Sequence, residues 1–111
     1  MNITTTDINE SIKKIDIQGE IDVYTSIDLK LELNNLVDNG SHKLIIDLEN
    51  VTYMDSSGLG VLVALLKRIK TEEGQLKLLN LPPSVAKIFE LTRLTKFFEI
   101  YNDLDNAINS F

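Results

Sequence analysis

Residues 44–70 read LIIDLENVTYMDSSGLGVLVALLKRIK. The first five, Leu44-Ile45-Ile46-Asp47-Leu48, form a short apolar run rich in isoleucine and leucine, the pattern of a strand buried on both faces. After an intervening loop, a helix is expected from about Ser57 to Lys70. Leu59, Leu62, Leu66 and Ile69 recur there at helical spacing and make one apolar stripe for the core. Glu73-Gly74 stops that helix. A buried strand feeding an amphipathic helix is half of a parallel crossover unit, and the chain on either side repeats the alternation.

Upstream, Ile12, Ile15 and Ile17 lie in a β-type stretch expected to end at Gly19. Ile3 to Thr6 is a further strand that pairs back through a turn at Asn9-Glu10. Thr25 followed by Asp28 resembles a capping box at a helix start. Leu29, Leu33, Leu36 and Val37 follow at helical spacing, and Asn39-Gly40 closes the helix. Downstream come a strand at Leu76–Leu79 and a helix after Pro82-Pro83-Ser84 with Val85, Ile88 and Phe89 on one face. A strand near Phe98–Tyr101 and an amphipathic helix over 103–111 complete the chain. The fold class is α/β, with a largely parallel sheet of four to five strands.

At 111 residues, 43% hydrophobic and 25% charged, the chain has the size and make-up of one ordered domain, 1–111. The absence of cysteine excludes disulfides, thiol catalysis and thiolate metal sites, and fits a reducing cytoplasm. The segment Met1–Asp7 has neither the basic head nor the apolar stretch of a signal peptide. No run approaches the ~20 apolar residues that cross a bilayer. A net charge of −6 disfavours direct binding to nucleic acid or anionic lipid, both polyanions. An effect on transcription would have to pass through another protein.

The informative segment is Tyr53-Met54-Asp55-Ser56-Ser57-Gly58-Leu59-Gly60, at the carboxyl edge of the sheet, where binding sites of open α/β folds gather. Ser56 falls at or just before a helix N-terminus, where free N–H groups and the helix dipole favour negative charge. A phosphoserine there suits its own fold while adding roughly −1.5 to −2 charges beside Asp55. The plainer alternative is that Asp55 or Ser56 only caps the helix and Gly58 and Gly60 only allow close packing. The outer helix face holds Ser57, Gly60, Val61, Ala64 and Arg68, with no charge before Lys67. Such a face suits contact with another protein, or else a second layer of the domain's own core. A phosphate beside an apolar contact surface opposes binding, so the chemistry describes a switch that binds when unmodified and releases when phosphorylated.

Gly19-Glu20-Ile21-Asp22-Val23-Tyr24-Thr25-Ser26 also joins a strand to a helix, and parallel strands bring it to the same edge. It offers the carboxylates of Glu20 and Asp22 and the ring of Tyr24, either for partner recognition or as a turn and cap.

In these two segments, with weaker matches at Leu76-Lys77-Leu78 and Ile88-Phe89-Glu90-Leu91-Thr92, the sequence resembles the anti-sigma factor antagonists, free-standing STAS domains of the sporulation and general-stress type. The resemblance runs from about Ile12 to Ala107. It implies a small mixed sheet packed with about four helices and a protein that is not an enzyme. Such a protein binds an anti-sigma factor that is also a serine kinase, freeing the sigma factor. The kinase phosphorylates the first serine of the Asp-Ser-Ser-Gly string, here Ser56, and a PP2C-type phosphatase restores the active form. Asp22 and Asp55 match the family's acidic positions near that serine. The implied state is cytoplasmic, a monomer or weak dimer, without a cofactor. STAS domains also serve as adaptors or scaffolds in complexes unrelated to sigma factors, which is the alternative function.

Two catalytic readings compete. A hydrolase would use Ser56 or Ser57 as nucleophile, but the only histidine, His42, precedes the strand at Leu44 and belongs at the opposite sheet edge. A metal site would need Asp22, Asp47 and Asp55 to converge. Gly58-x-Gly60 lacks the lysine and spacing of a phosphate-binding loop.

Overall fold

The computed structural model describes residues 1–111. Five strands, β1 (Asn2–Asp7), β2 (Ile12–Ile21), β3 (Lys43–Met54), β4 (Gln75–Leu79) and β5 (Glu99–Tyr101), form one sheet in the order β1-β2-β3-β4-β5. Only the β1–β2 pair is antiparallel, closed by a turn in which the Asn9 side chain accepts from the N–H groups of Ser11 and Ile12. The other three pairs are parallel. Each parallel pair is joined by a crossover helix: α1 (Thr25–Asp38), α2 (Ser56–Thr71) and α3 (Pro83–Leu91), the last followed by a 3₁₀ turn at Thr95–Phe97. The short α4 (Leu104–Asn109) ends the chain. The mixed sheet of five strands and four helices is the expected architecture.

The period-2 alternation of the strands divides the core in two. Ile15, Ile17, Leu44, Ile46, Leu48, Leu76 and Leu78 pack against Leu29, Leu33, Leu62, Leu65, Ile69, Val85 and Phe89 from the three crossover helices. On the other sheet face Ile12, Ile45, Leu79 and Ala107 form a small cluster under α4. Lys77 points to that second face and is only 1% exposed, its charge met by Glu99 at 2.6 Å. Leu65 joins the core stripe of α2 beside the four expected residues, because the buried arc of this helix is wider than a four-residue seam.

Three local expectations need correction. First, β2 does not end at Gly19. That residue adopts φ +102° within the strand, and pairing with β3 continues to Ile21. Second, no loop separates β3 from α2. The strand is 12 residues long and reaches Met54. Its register against β2 slips by one residue between the pairs Asp16↔Asp47 and Gln18↔Asn50, and again between Gly19↔Val51 and Glu20↔Tyr53. These two bulges shift the buried positions from Leu48 to Val51 and then Met54, which breaks the alternation by which a strand is recognised. Third, Thr25 and Asp28 form no capping box. The Asp22 carboxylate accepts from the N–H groups of Tyr24 and Thr25, both at 2.9 Å, and so supplies the cap of α1 from farther upstream.

Candidate functional site

The parallel β2–β3 register sets Glu20 beside Tyr53 and Ile21 beside Met54, so both strand-to-helix junctions leave the sheet at one edge. A hydrogen bond from Asp55 N to Ile21 O, 3.2 Å, ties the two junctions together. At the first, Thr25 Oγ1 accepts from Asp22 N and donates to Glu20 O, each at 2.9 Å, and this locks the turn 20–25. The bond from Thr25 N, helped by that from Tyr24 N, holds the Asp22 carboxyl below its ordinary pKa. Glu20 is exposed, and Tyr24, at 81%, is the most exposed large hydrophobic side chain of the protein.

At the second junction Asp55 is the N-cap of α2, with extended backbone (φ −106°, ψ −171°) and Oδ1 accepting from Ser57 N at 2.8 Å. Ser56 is therefore the first helical residue. It is exposed, and its hydroxyl is bonded to no other group of the chain. Ser57 is half-buried. Of the two residues that could have capped the helix, Asp55 does so and Ser56 does not.

Gly58 and Gly60 part ways. Gly58, expected on the partner face, is buried, and a Cβ there would lie 2.5 Å from Ile21 Cγ2 and 3.0 Å from Met54 Cγ. It lets α2 approach the ends of β2 and β3, which fixes where Ser56 stands; it offers no surface to a partner. Gly60 is exposed, and a Cβ there would meet nothing within 4 Å. Ala64 is exposed as well, and Val61 is half-buried against the core. The outer face of α2 is therefore not a second core layer.

Arg68 continues that face toward α1. Its guanidinium donates to Asn34 Oδ1 at 2.7 Å and pairs with Asp38, and Glu72 accepts from its Nε at 2.9 Å. Asn34 and Asp38 share one flank of α1 with Ile27 and Leu31, which are 61% and 59% exposed. Both crossover helices run the same way over the sheet, so with Asn34 level with Arg68, Ile27 and Leu31 come level with the turns of α2 that carry Val61 and Ala64. Val23 (59%) and Tyr53 (49%) are exposed at the same edge. Val23, Ile27, Leu31 and Tyr53 are not among the residues that the sequence singles out for a partner. A signal exists on α1: Val23, Ile27 and Leu31 recur at i, i+4 and i+8 outside the core stripe of Leu29, Leu33 and Val37.

The catalytic alternatives gain no geometry. His42 lies before β3 at the opposite sheet edge, 3.6 Å from Glu72. Asp47 turns to Lys14 at 3.4 Å and to Glu49 N at 3.0 Å, away from Asp22 and Asp55. No group of three His, Cys, Asp or Glu side chains is placed to hold a metal. No helix is long and apolar enough to cross a membrane.

Residues 4–107 match the family model of the STAS domain. The chain is 41% identical over 92 residues to the anti-sigma-B factor antagonist of Bacillus subtilis (strain 168), covering 83% of this chain and 84% of that protein. It is 33% identical over 100 residues to the anti-sigma-B factor antagonist of Staphylococcus aureus (strain NCTC 8325 / PS 47), covering 90% and 92%. The fold is shared with the anti-sigma factor antagonist SpoIIAA of Bacillus. The TM-score is 0.85 for its unphosphorylated form, at 22% identity over 98% of this chain and 95% of that one. For the phosphorylated form it is 0.78, at 21% identity over 98% of both chains.

Proposed function

The chain belongs to the STAS domain family and, within it, to the anti-sigma factor antagonists, and we propose that it works as a partner switch thrown at Ser56. The unphosphorylated protein binds a serine-kinase anti-sigma factor and frees the sigma factor. Phosphorylation of Ser56 ends that binding, and a PP2C-type phosphatase reverses it. The action is binding, with no turnover by this chain.

The observation that carries this reading is the division between Asp55 and Ser56. Because Asp55 makes the cap, the Ser56 hydroxyl is free, exposed and fixed at the first position of α2. A kinase can move the γ-phosphoryl group of ATP to Ser56 Oγ, with loss of the hydroxyl proton, without breaking a hydrogen bond of the fold. The N-terminal dipole of α2 then favours the new dianion locally. Toward a partner the effect is opposite. The phosphate adds to the charges of Asp55, Asp22 and Glu20 at the margin of an apolar strip of Gly60, Val61 and Ala64. Docking then requires desolvating that charge, which opposes binding.

The proposed contact surface comprises Glu20, Asp22, Tyr24, Asp55, Ser56, Ser57, Gly60, Val61 and Ala64, extended by Ile27 and Leu31 on α1. Incubation with the kinase and ATP, followed by peptide mass spectrometry, tests the assignment. The phosphate is expected on Ser56 and absent from the Ser56→Ala protein. Modification of Ser57 in wild type would move the switch by one residue and overturn the role given to the Asp55 cap.

A further inference from the structure

The protein has eight exposed large hydrophobic side chains, and five of them, Val23, Tyr24, Ile27, Leu31 and Tyr53, belong to the switch edge and its extension along α1. Of the others, Met1 is terminal, and Leu91 and Phe97 stand on the far side of α2, at the end of α3 and in the 3₁₀ turn. Phe97 is 63% exposed and borders a cleft of about 270 Å³ between the second half of α2 and that turn. Val63, Leu66, Leu94 and Phe98 supply the rest of its apolar lining. A second cleft of about 350 Å³ continues it past Leu66, Lys70, Phe97 and Phe98 toward Gly74.

The rim is basic. Lys67 and Lys70 flank the first cleft and Lys96 the second. Like Lys30, Lys43, Lys87 and Arg93, these three lysines form no ion pair, whereas Lys13, Lys14, Arg68 and Lys77 are each paired with a carboxylate. The one acidic side chain in the lining, Glu99, is engaged by Lys77 at 2.6 Å. Three uncompensated cations thus border an apolar slot on a chain whose net charge is −6.

We propose that this slot binds a free amphipathic carboxylate, an unbranched alkyl acid of about a dozen carbons, with the chain along Val63, Leu66, Leu94 and Phe97 and the carboxylate at Lys67 and Lys70. The volume lies near the lower end of small-ligand sites, roughly 300–1,000 Å³. It admits one alkyl chain but not the ~10 Å body of a partner helix. From Val63 to the end of α2 at Thr71 the groove follows the helix for roughly 12 Å, and the second cleft carries it past the helix end toward Gly74. An anionic membrane is disfavoured as the source, because the whole protein is repelled by a negative surface. The slot lies on a different flank of α2 from Val61 and Ala64, so a bound acid leaves the switch face open.

The test is an amide NMR titration of the ¹⁵N-labelled full chain with sodium laurate kept below micelle formation. Saturable shifts are expected at Val63, Leu66, Lys67, Lys70, Leu94 and Phe97. Dodecyltrimethylammonium, the same chain with a cationic head, should bind wild type at least about tenfold more weakly. The surface double variant Lys67→Glu/Lys70→Glu should reverse that preference while retaining its fold and its binding to the anti-sigma kinase. Equal response to the two head groups, or shifts centred on Ile27 and Leu31 or spread over the surface, would overturn the proposal. So would sedimentation with phosphatidylglycerol vesicles without a laurate response, which would assign the slot to a membrane.

Discussion

Gly58 stands so close to Ile21 that a Cβ on it would come within 2.5 Å of the Ile21 Cγ2. Ile21 is fully buried and cannot swing aside, and Met54 closes the other side at 3.0 Å. The first turn of α2 is thereby pressed onto the ends of β2 and β3, and the position of Ser56 follows from this contact. Gly58→Ala is expected to destabilise the protein by about 1–3 kcal/mol through overpacking. Gly60→Ala, with open space around it, should be neutral or stabilising by up to about 1 kcal/mol. Urea unfolding of the two variants checks this, and equal losses would contradict it.

Capping and charge at Asp55 can be separated. Asp55→Ala removes the acceptor for Ser57 N and should cost about 1 kcal/mol. Asp55→Asn keeps an acceptor oxygen and should retain most of the stability while removing one negative charge beside Ser56. A thermal melt of each variant reads the cap, and the kinase reaction at Ser56 reads the charge. Equal destabilisation by both substitutions would show that the helix end depends on charge and not on the cap bond.

The turn before α1 should be insensitive to pH until acid is reached. The Asp22 carboxyl is held below its ordinary value, about 3.9, by accepting from Thr25 N and Tyr24 N. Its folded pKa lies below its unfolded one. The stabilisation is therefore fully present above the ordinary carboxylate range and is lost as pH falls through the folded value. NMR titration of the Asp22 side chain, together with the Tyr24 and Thr25 amides, should give a midpoint below that of an unstructured peptide. A midpoint at or above the peptide value would show that the cap does not hold the carboxylate in solution.

On the outer face of α2, Ala64→Glu should leave the fold intact and weaken binding to the anti-sigma kinase, since Ala64 is exposed. Val61→Glu should weaken binding too but also cost stability, because Val61 is half-buried against the core. Ile27→Glu on α1 should resemble Ala64→Glu. Circular dichroism and affinity measurements on the three variants distinguish these cases. Full affinity in Ala64→Glu and Ile27→Glu would place the contact surface elsewhere.

The architecture is legible in the sequence because the buried runs Leu44–Leu48 and Leu76–Leu79 are continuous and the helices carry regular stripes. It is least legible where the period breaks. The two bulges in β3 disguise residues 49–54 as a loop, and the positive φ of Gly19 makes a strand look finished two residues early. At α1 the capping rule misleads because it favours a near neighbour, whereas Asp22 reaches forward from a turn fixed by Thr25. Ser56 stands out from its local string alone. That Gly58 is a packing residue and Gly60 a surface one does not, since the distinction depends on Ile21 from another strand. Ile27 and Leu31 are marked only by a second i, i+4 apolar spacing beside the core stripe of Leu29, Leu33 and Val37, and which of the two stripes faces the sheet is settled by the packing of α1.

The most direct test of the switch is the affinity of the serine-kinase anti-sigma factor for wild type, Ser56→Ala and Ser56→Asp, measured side by side by calorimetry. Wild type and Ser56→Ala should bind alike, and Ser56→Asp should bind at least about tenfold more weakly, a loss of about 1.4 kcal/mol or more. Equal affinity of Ser56→Asp and Ser56→Ala, with all three proteins folded, would contradict the account.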